Sequence, residues 1–182
     1  SSDVCSSDLI AIDGNRAVVG AHNNDELAND AGAAYVLEKE GGFWVQKAKL
    51  TAPDGTSEDY FGLDVALSGN TIVVGAYRAD TSVAGQAGAA YVFVGGGTSW
   101  SLQAKLEADD GDSDDNFGLS VSIDGDRVVV GANEEDDGGS NAGAAYVFQR
   151  SGSLWDAIPE KLLAADAATD DRFGRSVSIS RS

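Results

Sequence analysis

Carboxylates are the side chains with chemistry to offer in this 182-residue chain, which carries 30 acidic residues against 12 basic ones and one histidine, a formal charge of −18. The closest alternation among them is Asp110-x-Asp112-x-Asp114. Oxygens placed every second residue suit calcium, a hard cation that collects about six to eight of them. The run lacks the following glycine and the distal bidentate glutamate of an EF-hand loop, and its counterparts at Asp54 and Asp166 keep only an outer pair with Asp59 and Asp171. Two readings stay open: calcium held by Asp110, Asp112 and Asp114, or a solvated turn-forming loop. Calcium is the one cofactor this chemistry suggests.

Catalysis finds little support. His22 is the only histidine, no nucleophile motif accompanies it, and no glycine-rich loop opens a helix that would cradle phosphate. Paired carboxylates of the glycoside-hydrolase kind are numerous but follow no singular pattern, so the chain reads as a binding module and not an enzyme. Its charge disfavours nucleic acid and anionic membrane surfaces, which repel it. No stretch approaches the ~20 apolar residues that span a bilayer as a helix, so no membrane insertion is expected in this segment. The first nine residues, Ser1 to Leu9, stand outside the pattern of the rest and resemble a translated sequencing adapter, as does Arg181-Ser182 read in reverse. On that reading Cys5 says nothing about redox compartment.

The elements that must position these groups come from a repeat. Phe61-Gly62, Phe117-Gly118 and Phe173-Gly174 are spaced by 56 residues. Ala-Gly-Ala-Ala-Tyr-Val begins at Ala31, Ala87 and Ala142, Val-Val-Gly-Ala ends at Ala21, Ala76 and Ala132, and Trp44, Trp100 and Trp155 each precede a Lys-Leu pair. Within a unit the period is that of strands: Phe117, Leu119, Val121 and Ile123 alternate with small or polar residues. Gly125-Asp126 marks a tight hairpin, and Val128 to Ala132 is an apolar run suited to burial on both faces. A third strand follows from Ala142 to Phe148 and a fourth from about Trp155 to Leu163. Four antiparallel strands per unit, in tandem and without helix, predict an all-β fold, a β-propeller fragment of about three four-stranded blades. The boundaries are a leader at 1–9, a partial blade at 10–60, complete blades at 61–116 and 117–172, and the first strand of a further blade at 173–182.

Phe-Gly followed by Val-Val-Gly-Ala resembles the FG-GAP repeat of integrin α subunits and of many bacterial surface and secreted proteins. The resemblance covers Ile10 to Ser180 and implies a propeller, commonly seven-bladed, at work in extracellular or cell-surface recognition and adhesion. Many relatives bind calcium in an Asp-x-Asp-x-Asp-Gly loop between the first two strands. Here that turn is only Asp124-Gly125-Asp126 or Ser68-Gly69-Asn70, too short for the oxygens calcium needs, and the site is not carried over.

In an up-and-down blade the loops between strands two and three, and those between blades, emerge at the same end. Twenty of the 30 acids fall in these loops, with Arg78 and Arg172 the only bases, so the whole net charge is expected on one face. Residues there that break the repeat are the candidates for contacting a ligand: Tyr77, Arg78, Glu134, Glu135, Asp136 and Asp137, with His22 beside them. Trp44, Trp100, Trp155, Tyr35, Tyr91 and Tyr146 recur in every unit and are expected to pack. The partners expected are a protein or glycan ligand and the remaining blades of the same parent chain. A structural scaffold within a large secreted protein, or part of a propeller hydrolase or lyase, are the alternatives.

Overall fold

The computed structural model describes residues 10–180, so the proposed adapter-derived ends lie outside the described residues. The first blade is β1 (Ile10–Asp13), β2 (Arg16–Ala21), β3 (Ala33–Glu40) and β4 (Phe43–Leu50), and the second is β5 (Val65–Ser68), β6 (Thr71–Ala76), β7 (Ala89–Gly96) and β8 (Ser99–Leu106). The third is β9 (Phe117–Asp124), β10 (Arg127–Ala132), β11 (Ala144–Ser151) and a divided outer strand, β12 (Leu154–Trp155) and β13 (Glu160–Leu162). Each blade is its own antiparallel sheet in sequence order, so the all-β reading of about three four-stranded blades holds. Gly14, Gly69 and Gly125 open the two-residue hairpins with φ of 59°, 55° and 60°, a conformation that glycine adopts without a Cβ clash.

The blades stack through their faces. All six residues of β6 are buried, because Ile72 and Val74 enter the core shared with the first blade while Val73 enters the core shared with the third. That is why this strand reads as continuously apolar. The repeated Phe sits edge-on to two rings of its own blade: Phe61 lies 5.4 Å from Tyr91 and 6.1 Å from Phe93, and Phe117 lies 5.3 Å from Tyr146 and 6.1 Å from Phe148. Each such pair adds roughly 0.5–1.5 kcal/mol beyond its burial. The Gly of Val-Val-Gly-Ala lets backbones meet between blades. A methyl on Gly20, Gly75 or Gly131 would overlap the carbonyl of Gly62, Gly118 or Gly174 respectively.

Two boundaries differ from the sequence reading. The third strand of the last blade starts at Ala144, because Gly143 (φ 82°) still belongs to the loop, and it runs on to Ser151. The outer strand expected from Trp155 to Leu163 is split. Its counterparts β4 and β8 carry one bulge each, whereas here the path from Trp155 to Lys161 is one residue longer and contains Pro159, which has no N–H to give a ladder. Phe173-Gly174 meets Gly143 and Ala144 as Phe61-Gly62 and Phe117-Gly118 meet their predecessors. Residues 175–180 follow the course of a first strand, with the Ile179 N–H donating to Ser122 Oγ at 3.1 Å, but form no ladder.

Candidate functional site

Both sets of acidic loops meet at one end of the sheets. The connection after the first blade donates from Glu58, Tyr60 and Phe61 N–H groups to the carbonyls of Asn29, Asp30 and Ala31 in the β2–β3 loop, and Asp170, Arg172 and Phe173 repeat this on Ser140, Asn141 and Ala142. Within every two-to-three loop one aspartate accepts a backbone N–H: Asp25 from Asp30, Asp80 from Gln86, and Asp136 from Asn141 at 2.6 Å. In the connections Asp59, Asp115 and Asp171 accept the N–H of Thr56, Asp112 and Ala168, each three residues earlier. These acids hold loops in shape. Burial raises the Asp59 carboxyl above the usual range and pushes that of Asp115 up to about 6, the second aided by Glu135, Asp112 and Asp136 nearby.

The lysine of each Lys-Leu pair lies over the tyrosine of the third strand, at 5.7, 5.6 and 5.6 Å from the ring centre for Lys49 over Tyr35, Lys105 over Tyr91 and Lys161 over Tyr146. Around that shared brace the anions differ. Lys49 meets Asn24 Oδ1 and the Glu26 carboxylate. Lys105 meets Asp54 at 2.8 Å, Glu107 at 3.3 Å and the Asp80 carbonyl. Lys161 meets three carboxylates, Asp110 at 2.6 Å, Glu135 at 2.8 Å and Asp137 at 2.6 Å. Burial works against the charged form of Lys161, but hydrogen bonds to these acids prevail and hold its ammonium protonated well above the ordinary lysine range. The Tyr91 and Tyr146 hydroxyls donate to Asp54 and Asp110, and burial together with those anions pushes both phenols up.

This places the sequence candidates. The acidic group whose oxygens converge among the described residues is Asp110, Glu135 and Asp137, and not Asp110, Asp112 and Asp114. Asp110 is turned to Lys161 and Tyr146, the Asp112 N–H is tied to Asp115, and Asp114 adopts φ 70° with its N–H on the Gln86 carbonyl. The alternating spacing belongs to a turn and does not aim the three carboxylates at one point. Of the four acids from Glu134 to Asp137, Glu135 and Asp137 serve the lysine brace, Asp136 caps its own loop, and Glu134 faces Arg172 at 3.8 Å.

Tyr77 and Arg78 come together with two partners from the first blade and its connection. Tyr60 stacks on Tyr77 at 5.3 Å with 22° between ring planes, His22 lies 6.2 Å beyond Tyr60, and the Arg78 guanidinium sits 5.7 Å from the Tyr77 ring centre. The Arg78 Nε is buried without a hydrogen-bond acceptor. Tyr60 escaped the sequence reading, although its position, just before Phe-Gly, is taken by Asn116 and Arg172 in the other units and so also breaks the repeat.

Sheets stacked face to face, with hairpins at one end and long polar loops at the other, define three blades of an all-β propeller whose variable residues gather on the loop end. The chain belongs to the FG-GAP repeat family: the family model for the FG-GAP repeat matches residues 7–37, 44–93, 100–148 and 159–182. Among curated proteins no significant match to the chain is found.

Proposed function

We propose that this chain is an extracellular or cell-surface recognition module that binds a protein or glycan through the loop end of its blades. The observation that carries the reading is convergence. His22 and Tyr60 from the first unit and Tyr77 and Arg78 from the second each differ from their repeat counterparts and form one cluster at the end that holds the excess negative charge. Packing needs alone would give every blade the same residues. The stacked tyrosines present flat, amphipathic rings, Arg78 has a donor to spare, and the surrounding carboxylates raise the local concentration of cationic partners. Extracellular placement is supported by the family, whose repeat is typical of surface and secreted proteins.

Printed arrays of glycans and of synthetic peptides of graded charge test this with the intact chain and its Tyr77→Ala/Arg78→Ala variant. The expected result is saturable binding to a subset of spots that weakens about tenfold or more in the variant. Absence of binding on both arrays, or equal binding by both proteins, would overturn the reading and leave a structural scaffold.

A further inference from the structure

The three lysine braces form an internal series in which the fold is constant and the charge is not. Lys49 is met by one carboxylate, Lys105 by two and Lys161 by three, so the balance runs from neutral to −1 to −2. The third blade lacks the second's Glu107, whose place Leu163 takes, and gains two carboxylates in the β10–β11 loop. Where the second blade has Ala79 and Thr81, the third has Glu135 and Asp137. Ala79 is 1% exposed, so Glu135 places a carboxylate where the sibling blade buries a methyl group. Glu135 is itself only 4% exposed.

One oxygen of that carboxylate is accounted for and the other is not. Oε1 accepts from Lys161 Nζ at 2.8 Å and from the Asp137 N–H at 3.0 Å, whereas Oε2 is buried with no hydrogen-bond partner. The ammonium has no proton left for it, since its three are directed to Asp110, Glu135 and Asp137. A buried anionic oxygen left bare costs several times what an ordinary hydrogen bond contributes. Covalent geometry keeps Oε2 beside Oε1, and Glu135 forms with Asp110 and Asp137 a group that offers one oxygen from each residue within 4.8 Å of the others. Asp137, with 63% of its side chain exposed, connects the group to solvent.

We propose that Glu135, Asp137 and Asp110 form a divalent-cation site beside Lys161, calcium being the ion that fits. The donors are all carboxylate oxygens, a hard set with no imidazole or thiolate to favour zinc or copper. The uncompensated charge of −2 matches a divalent ion, and the exposed side leaves room for the waters calcium keeps. The ion would bond Glu135 Oε2, and Lys161 would keep the three carboxylates gathered. The site lies in the β10–β11 loop and the connection before the third blade, away from the two-residue β9–β10 hairpin, and is independent of the aromatic stack.

Calcium titration by calorimetry and terbium luminescence, excited through the nearby Tyr146, tests the site on the intact chain. The wild type is expected to bind one calcium saturably at the third blade and to melt higher with calcium present. The variant Glu135→Ala/Asp137→Thr gives the third blade's loop the second blade's residues at these two positions, so it is expected to fold and to lose at least about tenfold in affinity. Glu135→Gln, which keeps the shape, should lose affinity similarly and serves if the double variant does not fold. Asp112→Asn/Asp114→Asn should bind as the wild type does. No saturable binding by the wild type, undiminished binding by the Glu135 variants, or loss confined to the Asp112/Asp114 variant would each overturn the assignment.

Discussion

The second and third blades have the same frame and different cargo. Both place a Phe against a Tyr and a Phe, both brace that Tyr with a lysine, and both anchor an aspartate from the preceding connection on the two together. They part at Ala79 against Glu135, at Thr81 against Asp137, and at Tyr77-Arg78 against Asn133-Glu134. The difference teaches that in a tandem fold the invariant positions build and the divergent ones are free to bind, because each blade already contains what its own sheet needs.

The comparison breaks most sharply at the backbone contacts between blades. Gly75→Ala drives a methyl into the Gly118 carbonyl, held in the third blade's sheet, and should cost about 4 kcal/mol or more in urea unfolding. Gly131→Ala meets the Gly174 carbonyl in a segment without a ladder that can shift, so about half that loss is expected. Equal losses would mean that residues 173–180 are held as firmly as a paired strand.

The lysines come next. Lys161→Met leaves three gathered carboxylates without their cation and should cost about 3 kcal/mol, against about 1–2 kcal/mol for Lys105→Met, which leaves two. Denaturant midpoints measured in metal-free buffer check the order, and a larger loss at Lys105 would contradict it.

A smaller effect separates the blade junctions by pH. Asp64 accepts N–H groups from Val65 and from Val121 of the third blade, and its burial raises the carboxyl above its usual value. Its register mate Ser120 donates to the Gly174 carbonyl and does not titrate. A carboxyl that protonates more readily folded than unfolded stabilises the fold as pH falls through its folded value, and the gain is complete below the unfolded value of about 3.9. Asp64 therefore adds to the melting temperature on acidification, against the opposite contributions of Glu38, Asp54 and Asp110, whose carboxyls are held low, and Asp64→Ser should remove that gain. An unchanged slope in the variant would remove Asp64 from the account.

Much of this frame was legible because a repeat supplies its own alignment. The spacing of Phe61, Phe117 and Phe173 announced a tandem unit of 56 residues, and the alternation from Phe117 to Ile123 marked β9. The divided outer strand was written in Pro159 and in the extra residue before Lys161, a signal visible only when the three units are laid in register. The brace was half legible: the Lys-Leu pairs stood out, but their partners Asp110, Glu135 and Asp137 lie 51, 26 and 24 residues away and are united only by folding. Of the two readings of Asp110-x-Asp112-x-Asp114, the turn-forming loop is the conformation this stretch adopts, and alternate residues point together only along a strand. Tyr60 could have been found by the same test that found Tyr77, disagreement with the other units.

The division between building and binding residues is tested most directly by one substitution made at matched and divergent positions, with thermal unfolding as the readout. Tyr91→Ala and Tyr146→Ala remove rings that recur and are buried, and should cost about 3–5 kcal/mol each, whereas Tyr77→Ala should cost under about 1.5 kcal/mol. A loss at Tyr77 as large as that at Tyr91 would make it a core residue and contradict the account.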